Sequence, residues 1–281
     1  MRSSSQSLKE YGRGIIGGLI FSLPIIYTME MWWAGFTLPP EKLLLNVVVT
    51  YLLLLGYNNF CGIHHDHTFW DVCRESVEEI GIAFLATFLF LWLIGRLDLS
   101  MSISEMAGKT IVETMIVAIG ISVGTEQLGT GGGNDQGGSE AVNPGKSHQD
   151  REFITMLVLS VCGSVLFIAP VAATEEILII GIESSNVQLL IMVLLSVLLA
   201  VVTIFFSDFR GSVDGDRDFL KMVSHTVTVY LISLLVAFVF LWFYGNTNGF
   251  SAQIIISQVI VLGIPGILGA SAGRLLLRSI K

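Results

Sequence analysis

The chain has 281 residues, 53% of them hydrophobic and only 14% charged, with a formal net charge of −8. That balance excludes an ordinary soluble domain and fits an integral membrane protein. No basic stripe suited to phosphate backbones is present, so nucleic acid is not an expected partner, and the scattered Cys61, Cys73 and Cys162 imply no disulfide scaffold.

Taken from the N-terminus, Arg2, Lys9 and Arg13 precede an apolar run that resembles a secretion signal. The run is too long, carries Pro24 and Glu30 and lacks a small-residue cleavage site, so it reads as a retained first helix. A bilayer needs about 20 apolar residues per helix, and eight segments qualify: 14–35, 42–60, 75–97, 106–128, 154–181, 187–206, 219–244 and 251–277. Short loops make neighbours antiparallel. With the N-terminus cytoplasmic, the inner side holds Arg2, Lys9, Arg13, Arg74, Lys146, Arg151, Arg210, Arg217, Lys221, Arg274, Arg278 and Lys281, and the outer side only Lys42, Arg96 and Lys109. Such a bias predicts both termini inside. Trp32, Trp33, Trp92 and Trp242 then fall at outer helix ends, as an interfacial belt would.

Residues 17–35 and 163–181 align without a gap and share Gly17/Gly163, Phe21/Phe167, Pro24/Pro170, Thr28/Thr174, Glu30/Glu176 and Gly35/Gly181. The third and seventh segments end alike, at Phe90–Gly95 and Phe240–Gly245, and the fourth and eighth share Gly120, Ser122, Gly124 and Gly269, Ser271, Gly273. Four helices per half is an even number, so the halves keep one orientation. The expected fold is an all-α integral membrane protein of eight transmembrane helices, in two parallel four-helix repeats related by a pseudo-two-fold axis along the membrane normal. Its divisions are a cytoplasmic segment 1–13, a first repeat 14–128, a Gly-rich cytoplasmic linker 129–152 and a second repeat 153–281.

The candidate chemistry lies in the acids. Glu30, Glu176, Glu175 and Glu113 stand inside apolar segments, where a carboxylate is costly. Placed in one layer of a cavity, they would hold a proton or a small cation; the plainer reading of Glu113 is a pair with Lys109, four residues away. Pro24 and Pro170 free the carbonyls of Ile20 and Leu166. Either the prolines make a hinge or half-helix break that exposes carbonyls to an ion, or Thr28 and Thr174 close a static kink. On a straight helix Glu30 points away from the Phe21, Pro24 and Thr28 face, so it needs a distorted helix to reach the same cavity.

The loop His64-His65-Asp66-His67, flanked by Cys61, Asp71 and Cys73, gathers metal-ligand residue types, but its spacing matches no standard zinc pattern. The strings Gly120–Gly124 and Gly269–Gly273 read as close helix packing rather than as a hydrolase serine. Glu175-Glu176 lacks the arginine of a Glu-Glu-x-x-x-Arg protease motif, since Ile180 stands there. No nucleophile–base pair marks an enzyme, and no cofactor is expected.

The run Leu23–Phe36, LPIIYTMEMWWAGF, resembles the opening helix of a family of uncharacterised bacterial integral membrane proteins, a domain of unknown function. The resemblance implies a multi-helix fold in a bacterial inner membrane and supplies no activity or catalytic residue. Together these readings lead to a channel or carrier for a small cation or protons, embedded in the bilayer, with small-residue faces that leave room for a homo-oligomer. The alternative is a non-transporting sensor or scaffold that uses the His-rich loop.

Overall fold

Backbone in lipid has to be hydrogen-bonded within the protein, and a chain this apolar meets the demand with helices. The computed structural model describes residues 4–61, 68–98, 100–129, 146–209 and 219–278. Among the described residues it forms ten helices and no strand: α1 (Ser4–Ile26), α2 (Met29–Thr37), α3 (Pro40–Cys61), α4 (Phe69–Leu93), α5 (Ile103–Gly129), α6 (Lys146–Ala172), α7 (Glu176–Glu183), α8 (Asn186–Phe209), α9 (Phe219–Tyr244) and α10 (Ala252–Arg278). Six helices are long and apolar enough to cross a membrane, and up to eight spans result if each of two bent pairs counts as one.

All eight apolar segments are helical, but the first and fifth are each divided. Segment 14–35 is not one kinked rod: α1 and α2 meet at 86°. Segment 154–181 breaks between α6 and α7, and α7 turns through 119° into α8. A proline, which donates no backbone hydrogen bond and crowds the preceding turn, stands just before each break, although Pro265 inside the continuous α10 shows that proline alone does not end a helix. The chain then leaves the helix within four residues of Pro24 and of Pro170. At the other end of the expected linker, α6 begins at Lys146, since Pro144 and Gly145 are the last helix breakers before it. The rest of the Gly-rich stretch lies outside the described residues.

Helix lengths run 23, 9, 22, 25 and 27 residues in α1–α5 and 27, 8, 24, 26 and 27 in α6–α10. Packing follows the same order. α5 touches α1, α2, α3 and α4, while α10 touches α6, α7, α8 and α9. Between the halves α6 packs on α3, without an equally extensive contact of α1 on α8. Two side chains add to that seam: Lys42 Nζ donates to the Trp242 and Phe243 carbonyls at 2.8 and 2.7 Å, and the Tyr244 hydroxyl donates to Met31 Sδ at 3.4 Å.

α5 is a central post, with 83% of its apolar window buried against 22% for α3 and α4. The outer helices turn large apolar side chains outward, among them Leu85, Leu89 and Leu93 on α4 and Leu190, Leu194 and Leu198 on α8. An apolar stripe on the outside is what a hydrocarbon solvent requires. Trp33, Trp92 and Trp242 are exposed together at the end of the bundle where α1 meets α2, called here the elbow end.

Glycine sets the closest contacts. A Cβ on Gly17 would collide with Gly124 of α5, and one on Gly163 with Gly269 of α10. These are equivalent crossings in the two halves, and the small residues there let backbone approach backbone. Gly17→Val is therefore expected to cost about 1–3 kcal/mol by overpacking. Gly81→Ala, where an added Cβ meets nothing within 4 Å, should be neutral or slightly stabilising. Thermal unfolding in detergent measures both, and equal melting temperatures would refute the crossing as a determinant of packing.

Candidate functional site

A broken helix exposes carbonyls that in an apolar medium need donors. At the first elbow Thr28 N donates to Ile25 O at 2.8 Å and Thr28 Oγ1 to Pro24 O at 2.6 Å. Trp32 Nε1 reaches back to Ile26 O at 2.9 Å. At the second elbow Thr174 donates to Val171 O through both N and Oγ1, at 3.2 and 2.9 Å, and Asn246 Nδ2 caps Ala172 O at 2.9 Å. Ile26 and Ala172 are equivalent positions, so the same carbonyl is satisfied by an indole in one half and an amide in the other.

Lys109, Glu113 and Val117 are four apart and form one stripe of α5. Val117 meets α1 at Gly18, and Lys109 meets α2 at Gly35. Glu113, halfway between, therefore faces the elbow. Its side chain is fully buried, and neither carboxyl oxygen has a hydrogen-bond partner among the described residues. Ile25, Ile26 and Met31, all at most 1% exposed, form the packed core of the elbow, and Tyr244 of α9 is an electrostatic neighbour of the acid.

The expected pair of Lys109 with Glu113 does not form. Lys109 Nζ bonds Glu105 Oε1 at 2.6 Å and lies over the Phe36 ring. Glu105 is one turn closer to the open end of α5 and 31% exposed, so ionising it costs less and the lysine extends towards it.

The other predicted acids sit differently. Glu30 is half-buried in the first turn of α2, while Glu175 and Glu176 are exposed where α7 begins. The repetition of Glu30 and Glu176 has a local cause: each lies in the first turn of a short helix, where a negative charge favours the amino end of the peptide dipoles. Pro24 is exposed, and Pro170, Thr28 and Thr174 are half-buried. The first elbow thus gathers Pro24, Thr28, Glu30 and Glu113, and the second gathers Pro170, Thr174, Glu175 and Glu176 without a buried acid. His64, His65, Asp66 and His67 lie outside the described residues. Among the described residues no group of three His, Cys, Asp or Glu is placed to hold a metal ion.

Sequence reasoning missed Glu79. On α4, Glu79 Oε2 accepts from Asn58 Nδ2 of α3 and from Ser122 Oγ of α5, both at 2.8 Å. Asn58 Nδ2 also reaches Ser76 Oγ at 3.2 Å. This knot ties three helices at the end opposite the elbow. Its neighbours Arg74, Glu75 and Glu78 are exposed and make Glu79 look like one more charge at a helix start. The signal was angular: Val72, Ser76, Ala83 and Thr87 share an inward face, which Glu79 borders.

Fold and site together define a multi-span helical membrane protein with two broken helices and a buried acid at one break. The chain belongs to the family described as "Putative integral membrane protein (DUF2391)", matched over residues 10–277. No curated protein and no solved structure matches it.

A buried group with no partner carries a penalty of about 1–3 kcal/mol. Glu113→Leu is accordingly expected to raise the melting temperature, and Trp32→Phe, which strips the Ile26 carbonyl of its donor, to lower stability by about 1 kcal/mol. Thermal unfolding of the purified variants reads both; a drop for Glu113→Leu would mean that the carboxyl is held by partners after all.

Proposed function

We propose that the protein is a membrane transport protein, a channel or carrier, that moves protons or a small cation. The observation that carries the reading is Glu113: a fully buried carboxyl without a partner among the described residues, aimed at a helix break. An isolated charge there would cost several kcal/mol, so the group carries a proton or meets a cation. Acids inside membrane helices mark ion routes and proton relays, and transporters build their sites where a membrane helix is broken.

In this reading the elbow end faces outward and both termini face the cytoplasm of a bacterial cell, an orientation that the distribution of Lys and Arg supports. Eight spans are arranged as two parallel repeats about an axis along the membrane normal. The matching helix lengths and the matching glycine crossings support that arrangement. Glu113 is the ion-handling group. Glu30 stands at the mouth of the first elbow, and Glu175 and Glu176 draw cations to the second. Pro24, Pro170, Thr28 and Thr174 shape the breaks. The work is passage across the bilayer rather than covalent chemistry.

Purified protein in liposomes should dissipate an imposed gradient of protons, Na⁺ or K⁺. Glu113→Gln is expected to slow that flux by about tenfold or more, the scale on which loss of one 1.4 kcal/mol interaction is felt. Glu30→Gln with Glu176→Gln should lower it only at low ionic strength, where surface charge still concentrates cations. Absence of any cation- or proton-dependent flux would overturn the proposal.

A further inference from the structure

Glu113 and Glu79 have counterparts in the second half, and the comparison is informative. In α10, Gln258, Leu262 and Gly266 are four apart; Gln258 meets Gly181 of α7, and Gly266 meets Ile168 of α6. Leu262 therefore takes the place of Glu113 at the second elbow and is fully buried. Counting from the first residues of α4 and α9, Phe69 and Phe219, Glu79 corresponds to Val229, which is also fully buried. These two acids of the first half thus correspond to aliphatic residues in the second.

Three carbonyls of the first elbow are already taken. The carbonyls of Pro24, Ile25 and Ile26 are each engaged, by Thr28 Oγ1, Thr28 N and Trp32 Nε1. Met31 offers sulfur, and the Tyr244 hydroxyl is turned to it. Hard cations want several oxygen ligands at once. A proton needs one carboxyl oxygen.

We infer that the cargo is the proton and that it crosses through the first half alone, with Glu113 as its acceptor near the elbow and Glu79 as its acceptor near the opposite end. This rests on the transport reading above. Ser122, which holds Glu79, is nine residues from Glu113, about 13 Å along α5 and on its other side. A proton passing between the two acids has to turn around α5 and needs water to carry it. Thr87 of α4 stands on the way: it is two turns from Glu79 towards the elbow, about 12 Å, and fully buried with no partner for its hydroxyl. A proton held as the Glu113 acid leaves to water as the carboxylate re-forms, and water returns it to the Glu79 carboxylate. Asn58 and Ser122 position that carboxylate. The charged groups nearby are already engaged or on the same helix: Lys109 with Glu105, Arg74 with Glu78, and Glu75 beside Glu79.

The test writes the second half into the first. Full-length protein is placed in liposomes with an entrapped pH dye and a clamped membrane potential, and Na⁺ and K⁺ fluxes are followed in the same vesicles. Wild type should collapse a pH gradient without moving Na⁺ or K⁺. Glu113→Leu copies a side chain that the other half already packs, and Glu79→Gln keeps an acceptor for Asn58 and Ser122; each should cut proton flux at least tenfold. Leu262→Ala and Val229→Ala should leave it within twofold. Size-exclusion profiles and melting temperatures separate misfolded variants from inactive ones. Infrared difference spectra give an independent reading, since the carboxylic C=O band that appears on acidification should lose one component in each acid variant. Proton flux that survives either acid variant overturns the inference. Na⁺ or K⁺ flux without proton flux overturns it while leaving the transport reading intact, and no flux of any kind overturns both.

Discussion

Backbone meets backbone where α1 crosses α5, at Gly17 and Gly124, and again where α6 crosses α10, at Gly163 and Gly269. Lipid tails are as apolar as leucine, so burial alone gives helices little reason to associate in a bilayer. Close approach supplies the dispersion contacts that stand in for it. The consequence extends beyond the crossing. With α1 pressed against α5 at Gly17 and Gly18, the end of α1 falls beside the stripe that carries Glu113, and α2 continues onto Lys109 through Gly35. Larger residues at the crossing would push the elbow away and open the acid to lipid. The chemistry at the elbow is therefore set by glycines two to three turns distant.

The breaks obey a second constraint. Every carbonyl released near Pro24 and Pro170 has to find a donor, and both halves use the threonine four residues on. Beyond it the solutions diverge, with Trp32 serving Ile26 and Asn246 serving Ala172. The indole comes from the helix just after the break, whereas the amide comes from the loop after α9. Each break is thus closed in part by its own threonine, which bonds Pro24 O in the first half and Val171 O in the second. With these carbonyls engaged, the side chains facing the elbow become the groups to examine.

Much of this architecture was legible in the amino-acid order. The eight apolar stretches, the small-residue packing strings and the repeated Gly–Pro–Thr–Glu pattern mark the helices, and each stretch is helical. The hydrophobic period could not show that residues 27–28 and 173–175 leave the helix altogether, because both sides of each break are equally apolar. The site was legible in part. Glu113 stands out as an acid in a long apolar run, yet an i,i+4 lysine offered it a local partner, and sequence spacing cannot tell that Glu105 takes that lysine instead. Glu79 was hidden among surface charges, since depth and helix face decide its role and neither is visible residue by residue. The repeat drew attention to Glu30 and Glu176, whose recurrence the starts of α2 and α7 already explain.

What distinguishes the two halves is where each spends polar side chains. A bundle that needed only to pack would favour residues such as Leu262 and Val229 at its central stripes, because a buried carboxyl lowers stability unless something relieves it. On the α10 stripe that carries Leu262, Gln258, fully buried and without partners for its amide among the described residues, takes the place of Lys109. An amide costs far less to bury than a charge, and it neither gains nor loses a proton near neutral pH. Gln258 therefore falls on the side of structure. The first half keeps two acids where the aligned positions of the second carry aliphatic side chains, and Glu113 has no hydrogen-bond partner among the described residues. Retention of that kind is expected where a group is used, and α5 reaches both acids, carrying Glu113 itself and holding Glu79 of α4 through Ser122.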